Sequence, residues 1–216
     1  MKILLAAATD AEIAPAAAWL NTQASQVRDQ YDVLITGIGL MAATFSLTQA
    51  LTCSQYDGVI SAGIAGAFDR SLVLGECVIV QSEQLGDLGA EDKEEFLDLF
   101  SLGYQHYDTP PYTNGLMLNT FTGLPFDSSH LRAVSGLTVN TVSGSARTIA
   151  ARSARYSAQI ESMEGAALHY VCLQLGMPFL QLRAISNYVT PRDRAAWKIA
   201  EAIEALNQQL IEWLKR

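Results

Sequence analysis

Glu12, Glu164 and Asn187 each stand where an apolar run stops, and such positions carry chemistry more often than packing. Glu12 follows the run 2–8 within Thr9-Asp10-Ala11-Glu12. A carboxylate just beyond the first strand of an α/β sheet is placed to serve as a general base. The same four residues also fit a capping box, with Thr9 as N-cap and Glu12 three positions on. Pro15 would then fall inside the helix and remove a backbone bond, so both readings of Glu12 stay open. Glu164 lies in Glu161-Ser162-Met163-Glu164-Gly165, at a strand end that opens an apolar helix. It is either an acid favoured by the helix N-terminal dipole or a carboxylate accepting two hydrogen bonds from a sugar diol. Asn187 closes Arg183-Ala184-Ile185-Ser186-Asn187 after a buried run.

Two glycine clusters add backbone to this set. Gly37-Ile38-Gly39-Leu40-Met41-Ala42 matches the loose dinucleotide pattern, but the acid at the right separation, Asp57, precedes its strand instead of ending it. A tight strand-to-helix turn is the better reading. Gly63-Ile64-Ala65-Gly66-Ala67 is expected to form a second turn, after a strand over 58–62. It has no Lys, Arg, Ser or Thr, so it is no P-loop, and any anion it met would rest on backbone N–H groups. Structural turn and binding turn both remain open. His106, His130 and His169 show no metal-ligand spacing, and His169 reads as a helix-face residue.

The elements that must hold these groups read as alternating strands and helices. Apolar runs at 2–8, 31–36, 58–62, 72–81, 137–142, 160–163 and 179–185 are expected strands, several apolar throughout as strands covered on both faces should be. Helical patterns occupy 41–51, 165–175 (ending at Gly176-Met177-Pro178) and 195–215, where Ile199, Ile203, Leu206, Leu210 and Trp213 share a stripe. Residues 103–125 are the main irregular stretch. The expected fold is a single α/β domain over 1–216, a mixed central β-sheet flanked by helices.

Composition bounds the function. The 216 residues are 50% hydrophobic and only 17% charged, with a net charge of −8. Disorder is excluded, and an acidic balance argues against a phosphate-binding surface, so no nucleic-acid partner is expected. No run approaches the roughly 20 apolar residues of a membrane span. The apolar run 3–8 is too short for a signal peptide. Cys53, Cys77 and Cys172 are few and far apart, which fits a reducing compartment. A cytoplasmic enzyme that hides apolar surface in a homo-oligomer is the expectation.

Taken together, Met1-Lys2-Ile3 with Glu12, Gly37-Ile38-Gly39, Ala62-Gly63-Ile64-Ala65-Gly66, Met163-Glu164-Gly165-Ala166 and Arg183-Ala184-Ile185-Ser186 resemble the nucleoside phosphorylase/nucleosidase superfamily. The resemblance spans essentially the whole chain and is closest to the methylthioadenosine/S-adenosylhomocysteine nucleosidase branch. Three finer features resemble the futalosine-hydrolysing group of that branch. They are Asp87-Leu88-Gly89-Ala90-Glu91, Asn187 where the adenine nucleosidases carry Asp, and Thr190-Pro191-Arg192-Asp193-Arg194-Ala195-Ala196-Trp197. The resemblance implies a nucleoside phosphorylase-like fold and a purine nucleoside hydrolase with no cofactor and no metal. Catalytic roles fall to Glu12 (base for water), Asn187 and Arg183. Gly63, Ile64, Met163, Glu164 and Ser186 would contact the substrate. Phosphorylases of the superfamily bring an Arg and a Ser to positions that are Ser61 and Ile64 here, which favours water as nucleophile. The nucleosidases keep that Ser, so Ile64 also departs from them.

The amide of Asn187 can donate to N7 or to O6 of hypoxanthine but cannot readily supply a proton. Futalosine carries hypoxanthine, so its hydrolysis in menaquinone biosynthesis is the function implied. Its benzoate needs a cationic partner, for which Arg147, Arg152, Arg192 and Arg194 are the candidates. A methylthioadenosine-type nucleosidase, a phosphate-dependent phosphorylase and a non-catalytic nucleoside-binding protein are the alternatives.

Overall fold

Ile3–Ala7 is apolar and buried at every position, so it lies inside a sheet with both faces covered. It is β1 of the structure, a computed structural model that describes residues 1–93 and 95–215. The remaining strands are β2 (Tyr31–Ile35), β3 (Gly58–Ala67), β4 (Cys77–Leu85), β5 (Gly89–Asp92), β6 (Glu95–Asp98), β7 (Met117–Leu118), β8 (Arg132–Thr138), β9 (Ile160–Ser162) and β10 (Phe179–Tyr188). The helices are α1 (Asp10–Asn21), α2 (Ser25–Arg28), α3 (Leu40–Cys53), α4 (Ala146–Arg155), α5 (Gly165–Leu175) and α6 (Ile199–Leu214).

Strand β3 organises the sheet. Along one edge it pairs in parallel with β1 from Gly58 to Ser61, then antiparallel with β9 at Gly66 and Ala67. Its other edge pairs in parallel with β10 from Val59 to Ala67. Beyond β10 lies antiparallel β4, then β8 parallel to β4, then β9 parallel to β8. Strands β3, β10, β4, β8 and β9 therefore close on themselves, with β2 outside β1, β7 beside β4, and β5–β6 a separate hairpin. The mixed α/β architecture expected from the sequence is present.

Period-two alternation divides the core between the two faces. Ile3, Leu5, Ile60 and Leu182 pack against Ile13 and Leu20 of α1 and Leu206, Leu210 and Trp213 of α6. Leu4, Val59 and Phe179 pack on the opposite face against Leu47 of α3 and Leu168 and Val171 of α5. Each fully buried Leu or Ile contributes about 1.5–3 kcal/mol relative to its exposed state. Helix α5 ends at Gly176, whose φ of 63° is the left-handed cap that its glycine foretells.

Several expected boundaries move. The run 58–62 does not stop at Gly63: residues 63–67 continue β3 in place of a turn, because β10 hydrogen-bonds them over their whole length. The strand expected over 72–81 starts only at Cys77, since Asp69 Oδ1 and Glu76 Oε2 accept the N–H groups of Ser71 and Val73 and bend the chain first. The strand expected at 137–142 is Arg132–Thr138 instead. The helix expected over 195–215 begins at Ile199, after a single 3₁₀ turn at Arg194–Ala196.

The α5 face of the sheet also carries buried polar groups. Glu83 is fully buried and accepts from Gln181 Nε2 at 2.8 Å and Thr138 Oγ1 at 2.9 Å. A side chain on Gly136 or Gly165 would collide with its carboxyl group. Burial pushes the Glu83 carboxyl up to about 7. It drives the imidazole of fully buried His169, which contacts the Met117 carbonyl through Nδ1 at 2.9 Å, down to about 4.

Folded Glu83 keeps a proton that the unfolded chain has released, so its contribution to stability falls as pH rises toward about 7. His169 acts oppositely, losing stability as pH falls from its ordinary value toward about 4. Glu83→Gln removes only the first effect. The melting temperature of this variant relative to wild type is expected to climb between about pH 5 and about pH 7.5. A constant difference across that range would show that burial leaves the Glu83 titration unchanged.

Candidate active site

The β3–β10 register sets Arg183 beside Gly63 and Asn187 beside Gly66. A Cβ on Gly63 would lie 3.1 Å from Glu12 Oε1 and 3.2 Å from Arg183 Nη1, and one on Gly66 would lie 3.1 Å from Asn187 Nδ2. Both glycines are extended strand residues whose missing side chains leave room for a polar group of the neighbouring strand.

The capping-box reading of Glu12 is met, and its second carboxylate oxygen is left facing the candidate site. Its Oε2 accepts from the Thr9 N–H at 3.0 Å and the Thr9 hydroxyl at 2.9 Å, tying down the start of α1. Pro15 sits on the exposed side of that helix, which continues through it. Oε1 accepts from the Ile64 N–H at 3.2 Å and faces Gly63 and Arg183. One carboxylate oxygen is structural and the other points at the site.

Glu164 occupies the N-cap position of α5 without capping it. Its Oε1 accepts instead from the Gly39 N–H at 2.8 Å. That amide is aimed by the turn before α3, where Gly37 and Gly39 adopt φ of 83° and 88°. The first glycine cluster thus serves as a tight turn that hands a backbone donor to a carboxylate. Burial raises the Glu164 carboxyl above its ordinary value, against the opposing pull of the Gly39 N–H and the Arg183 charge.

The Asn187 amide is oriented from both sides. Nδ2 donates to the Tyr188 carbonyl at 3.0 Å and Oδ1 accepts from the Ser186 hydroxyl at 2.9 Å. A backbone carbonyl can only accept, so the NH₂ is fixed as such, and its second hydrogen remains for a ligand.

The facing wall is the loop 139–144. Asp87 accepts from the backbone N–H groups of Asn140 at 2.8 Å and Thr141 at 3.2 Å, and Glu161 accepts from Ser143 N–H at 2.7 Å. Arg152 joins the two acids, 3.1 Å from Glu161 and 3.4 Å from Asp87, and donates to the Thr141 carbonyl at 2.8 Å. Sequence reasoning missed this clamp. Asp87 and Glu161 lie in quoted motifs, but nothing along the chain pairs them with Arg152.

These walls enclose a cavity of about 340 Å³, within the range of small-molecule sites, lined by Glu12, Ile64, Met163, Glu164, Ser186 and Asn187 among others. Gly63 and Arg183 stand behind it, bordering a smaller space that Glu12 also lines. All the candidate site residues are thus brought together. Val142, Ser143, Glu161 and Trp197 also line the cavity and were not foreseen as site residues. Ile199 and Ile203 of the expected α6 stripe face it as well. Of the candidate arginines, Arg152 is committed to the loop clamp and Arg147 is exposed on α4. Arg192 and Arg194 lie over the Trp197 ring at 5.2 and 6.0 Å from its centroid. Among the described residues no cluster of three or more His, Cys, Asp or Glu could hold a metal ion, and no helix is long and apolar enough to cross a membrane.

A chain with this sheet and this cavity can be set beside known proteins. The profile of the Phosphorylase superfamily matches residues 9–213. The chain belongs to that superfamily. Within the Phosphorylase superfamily, it is 35% identical over 187 residues to a futalosine hydrolase of Streptomyces coelicolor, covering 82% of this chain and 76% of that one. It is likewise 35% identical over 176 residues to a futalosine hydrolase of Thermus thermophilus, covering 80% and 76%. A 5′-methylthioadenosine/S-adenosylhomocysteine nucleosidase from S. pneumoniae, solved with the transition-state inhibitor MT-ImmA, shares the fold with a TM-score of 0.79. Its identity is 21%, and the match covers 100% of this chain and 99% of that one.

Proposed function

We propose that this member of the Phosphorylase superfamily is a purine nucleosidase that hydrolyses the N-ribosidic bond of futalosine, releasing hypoxanthine in menaquinone biosynthesis. The observation that carries the reading is Glu12. Its Oε2 is held by Thr9 while Oε1 is directed into a cavity that also contains Glu164 and Asn187. The futalosine hydrolases among the relatives supply the substrate.

N-ribosyl cleavage passes through an oxocarbenium-like state, as other glycoside hydrolysis does. In this reading Glu12 deprotonates water, Glu164 accepts from the ribose hydroxyls, and Met163 packs against the sugar. The free N–H of Asn187 donates to O6 or N7 of the base, held in that orientation by Ser186 and the Tyr188 carbonyl. Ile64 contributes its N–H to Glu12, and Arg183 keeps a positive charge beside the buried carboxylates. Ser61 and Ile64 stand where the superfamily's phosphorylases bring Arg and Ser, which supports water over phosphate.

Arg192 is the partner of the substrate's benzoate. Its side chain lies over Trp197, a wall of the cavity, and its backbone N–H donates to the Gly144 carbonyl at 3.1 Å, tying it to the 139–144 loop. The α3 face leaves Met41 87% and Phe45 66% exposed, close along the chain to cavity-lining Ile38. An apolar patch of this kind supports a homo-oligomer, and three free cysteines support a reducing, cytoplasmic setting.

The test is chromatography of base release from futalosine, inosine and methylthioadenosine, with and without phosphate. Wild type is expected to release hypoxanthine from futalosine at a rate that phosphate leaves unchanged; preferential turnover of methylthioadenosine, or a requirement for phosphate, would overturn the reading. Glu12→Gln should reduce turnover by about 10²–10⁴-fold with the melting temperature preserved, and full activity would remove Glu12 from its role. Asn187→Asp should shift preference toward 6-amino substrates; an unchanged ratio of inosine to methylthioadenosine turnover would refute the assignment of Asn187. Arg192→Ala should raise KM for futalosine by about tenfold or more while leaving inosine unaffected, as loss of a charge-assisted bond requires. Equal effects on both substrates would exclude Arg192 as the carboxylate partner.

A further inference from the structure

Behind the main cavity, on the side of the sheet, lies a much smaller one that shares Glu12 and Glu164 with it. Its volume is about 10 Å³; Thr36, Ser61 and Arg183 add polar groups to its wall beside Gly63, and the remaining lining, Leu47 and Leu168 among it, is apolar. A space of this size accommodates one water molecule where two to four polar groups face it.

Those groups are present. Glu12 Oε1 and Arg183 Nη1 flank the point that a Gly63 side chain would occupy, at 3.1 and 3.2 Å, so glycine alone keeps the space between them open. Ser61 lies two residues earlier on the same face of β3, 7% exposed, with its Oγ 3.3 Å from Arg183 Nη1. Arg183 is 2% exposed, and its Nε has no partner among the described residues. A guanidinium only donates, so Arg183 occupies a lone pair of Ser61 Oγ and turns the hydroxyl hydrogen away from itself. Ile64 cannot substitute for this hydroxyl. Its side chain packs on the opposite, α1/α6 side, and only its backbone N–H reaches Glu12.

We infer that Ser61 is a positioning residue for the attacking water, donating to it while Glu12 Oε1 accepts one of its hydrogens and Arg183 fixes the serine. The inference rests on the nucleosidase reading above. With one hydrogen on Glu12 and one lone pair taken by Ser61, the water keeps a lone pair for the ribose C1′. The new O–C1′ bond forms as the C1′–N9 bond breaks, and the electron pair of that bond leaves with the purine. The water proton passes to Glu12 Oε1 and returns to solvent, while the departing purine takes a proton from solvent. Water is the sole co-reactant.

Ser61→Ala and Ser61→Cys test this against Glu12→Gln, with futalosine as substrate and with melting temperature, KM and kcat as readouts. Cysteine has a similar shape but a weak donor. Both variants are expected to lose kcat by about 10²-fold, the scale of a misplaced reactant, with KM and melting temperature close to wild type. Wild-type kcat in both, alongside a dead Glu12→Gln, would overturn the role of Ser61 and leave the nucleosidase reading standing. Loss of kcat and melting temperature together in Ser61→Ala, restored in Ser61→Cys, would reduce Ser61 to packing and overturn the inference. Full activity in Glu12→Gln would overturn the nucleosidase reading itself.

Discussion

The parallel pairing of β3 with β10 is the contact from which both the core and the site are built. Side chains alternate along β10, so Leu182 and Ala184 enter the layer beneath α1 and α6 while Gln181 and Arg183 face the polar side beneath α5. A slip of one residue would drive Arg183 into an apolar layer and lift the leucine out of it. The same register sets Gly63 and Gly66 beside Arg183 and Asn187. Each strand supplies what the other lacks: glycine space on one, functional groups on the other.

Charge placement follows from that geometry. Three carboxylates, Glu12, Glu161 and Glu164, line one cavity in a protein of net charge −8. They are tolerated because Glu12 and Glu161 each accept three hydrogen bonds, because the Gly39 N–H donates to Glu164, and because two buried arginines sit among them, Arg183 behind the site and Arg152 between Glu161 and Asp87. Arg152 shows why a count of arginines along the chain identifies no anion site. Its guanidinium holds a loop, while Arg192 and Arg194 both lie over the Trp197 ring.

Much of the candidate site is legible in the sequence. Glu12, Glu164 and Asn187 announce themselves as polar groups ending apolar runs, and a run buried on both faces has few reasons to stop in a carboxylate. The strands β1, β2 and β9 and helix α5 were legible for the same reason. Residues 63–67 were not, because glycine signals a turn only where backbone freedom is used; in β3 it marks steric clearance for a neighbouring strand instead. Helix α4 escaped notice since Arg152 is its only buried residue, leaving no apolar stripe to read. Residues 139–142 read as strand because Val139 and Val142 are β-formers, yet amides of the loop 139–144 are claimed by carboxylates from two other segments. Contacts between residues so distant in sequence leave no local periodicity.

Ring closure through β10 has a consequence for how the chain is made. Until Phe179–Tyr188 has left the ribosome, β3 and β4 have no strand between them, and the edges that β10 will cover stay open. Strands β1 to β9 all precede it in synthesis, and until it appears neither Arg183 nor Asn187 is present. Pairings this remote close slowly, and unpaired apolar edges are what other nascent chains adhere to. The fold thus concentrates its hazard in a single insertion event, in which one strand closes the barrel-like ring and carries Arg183 and Asn187 into place.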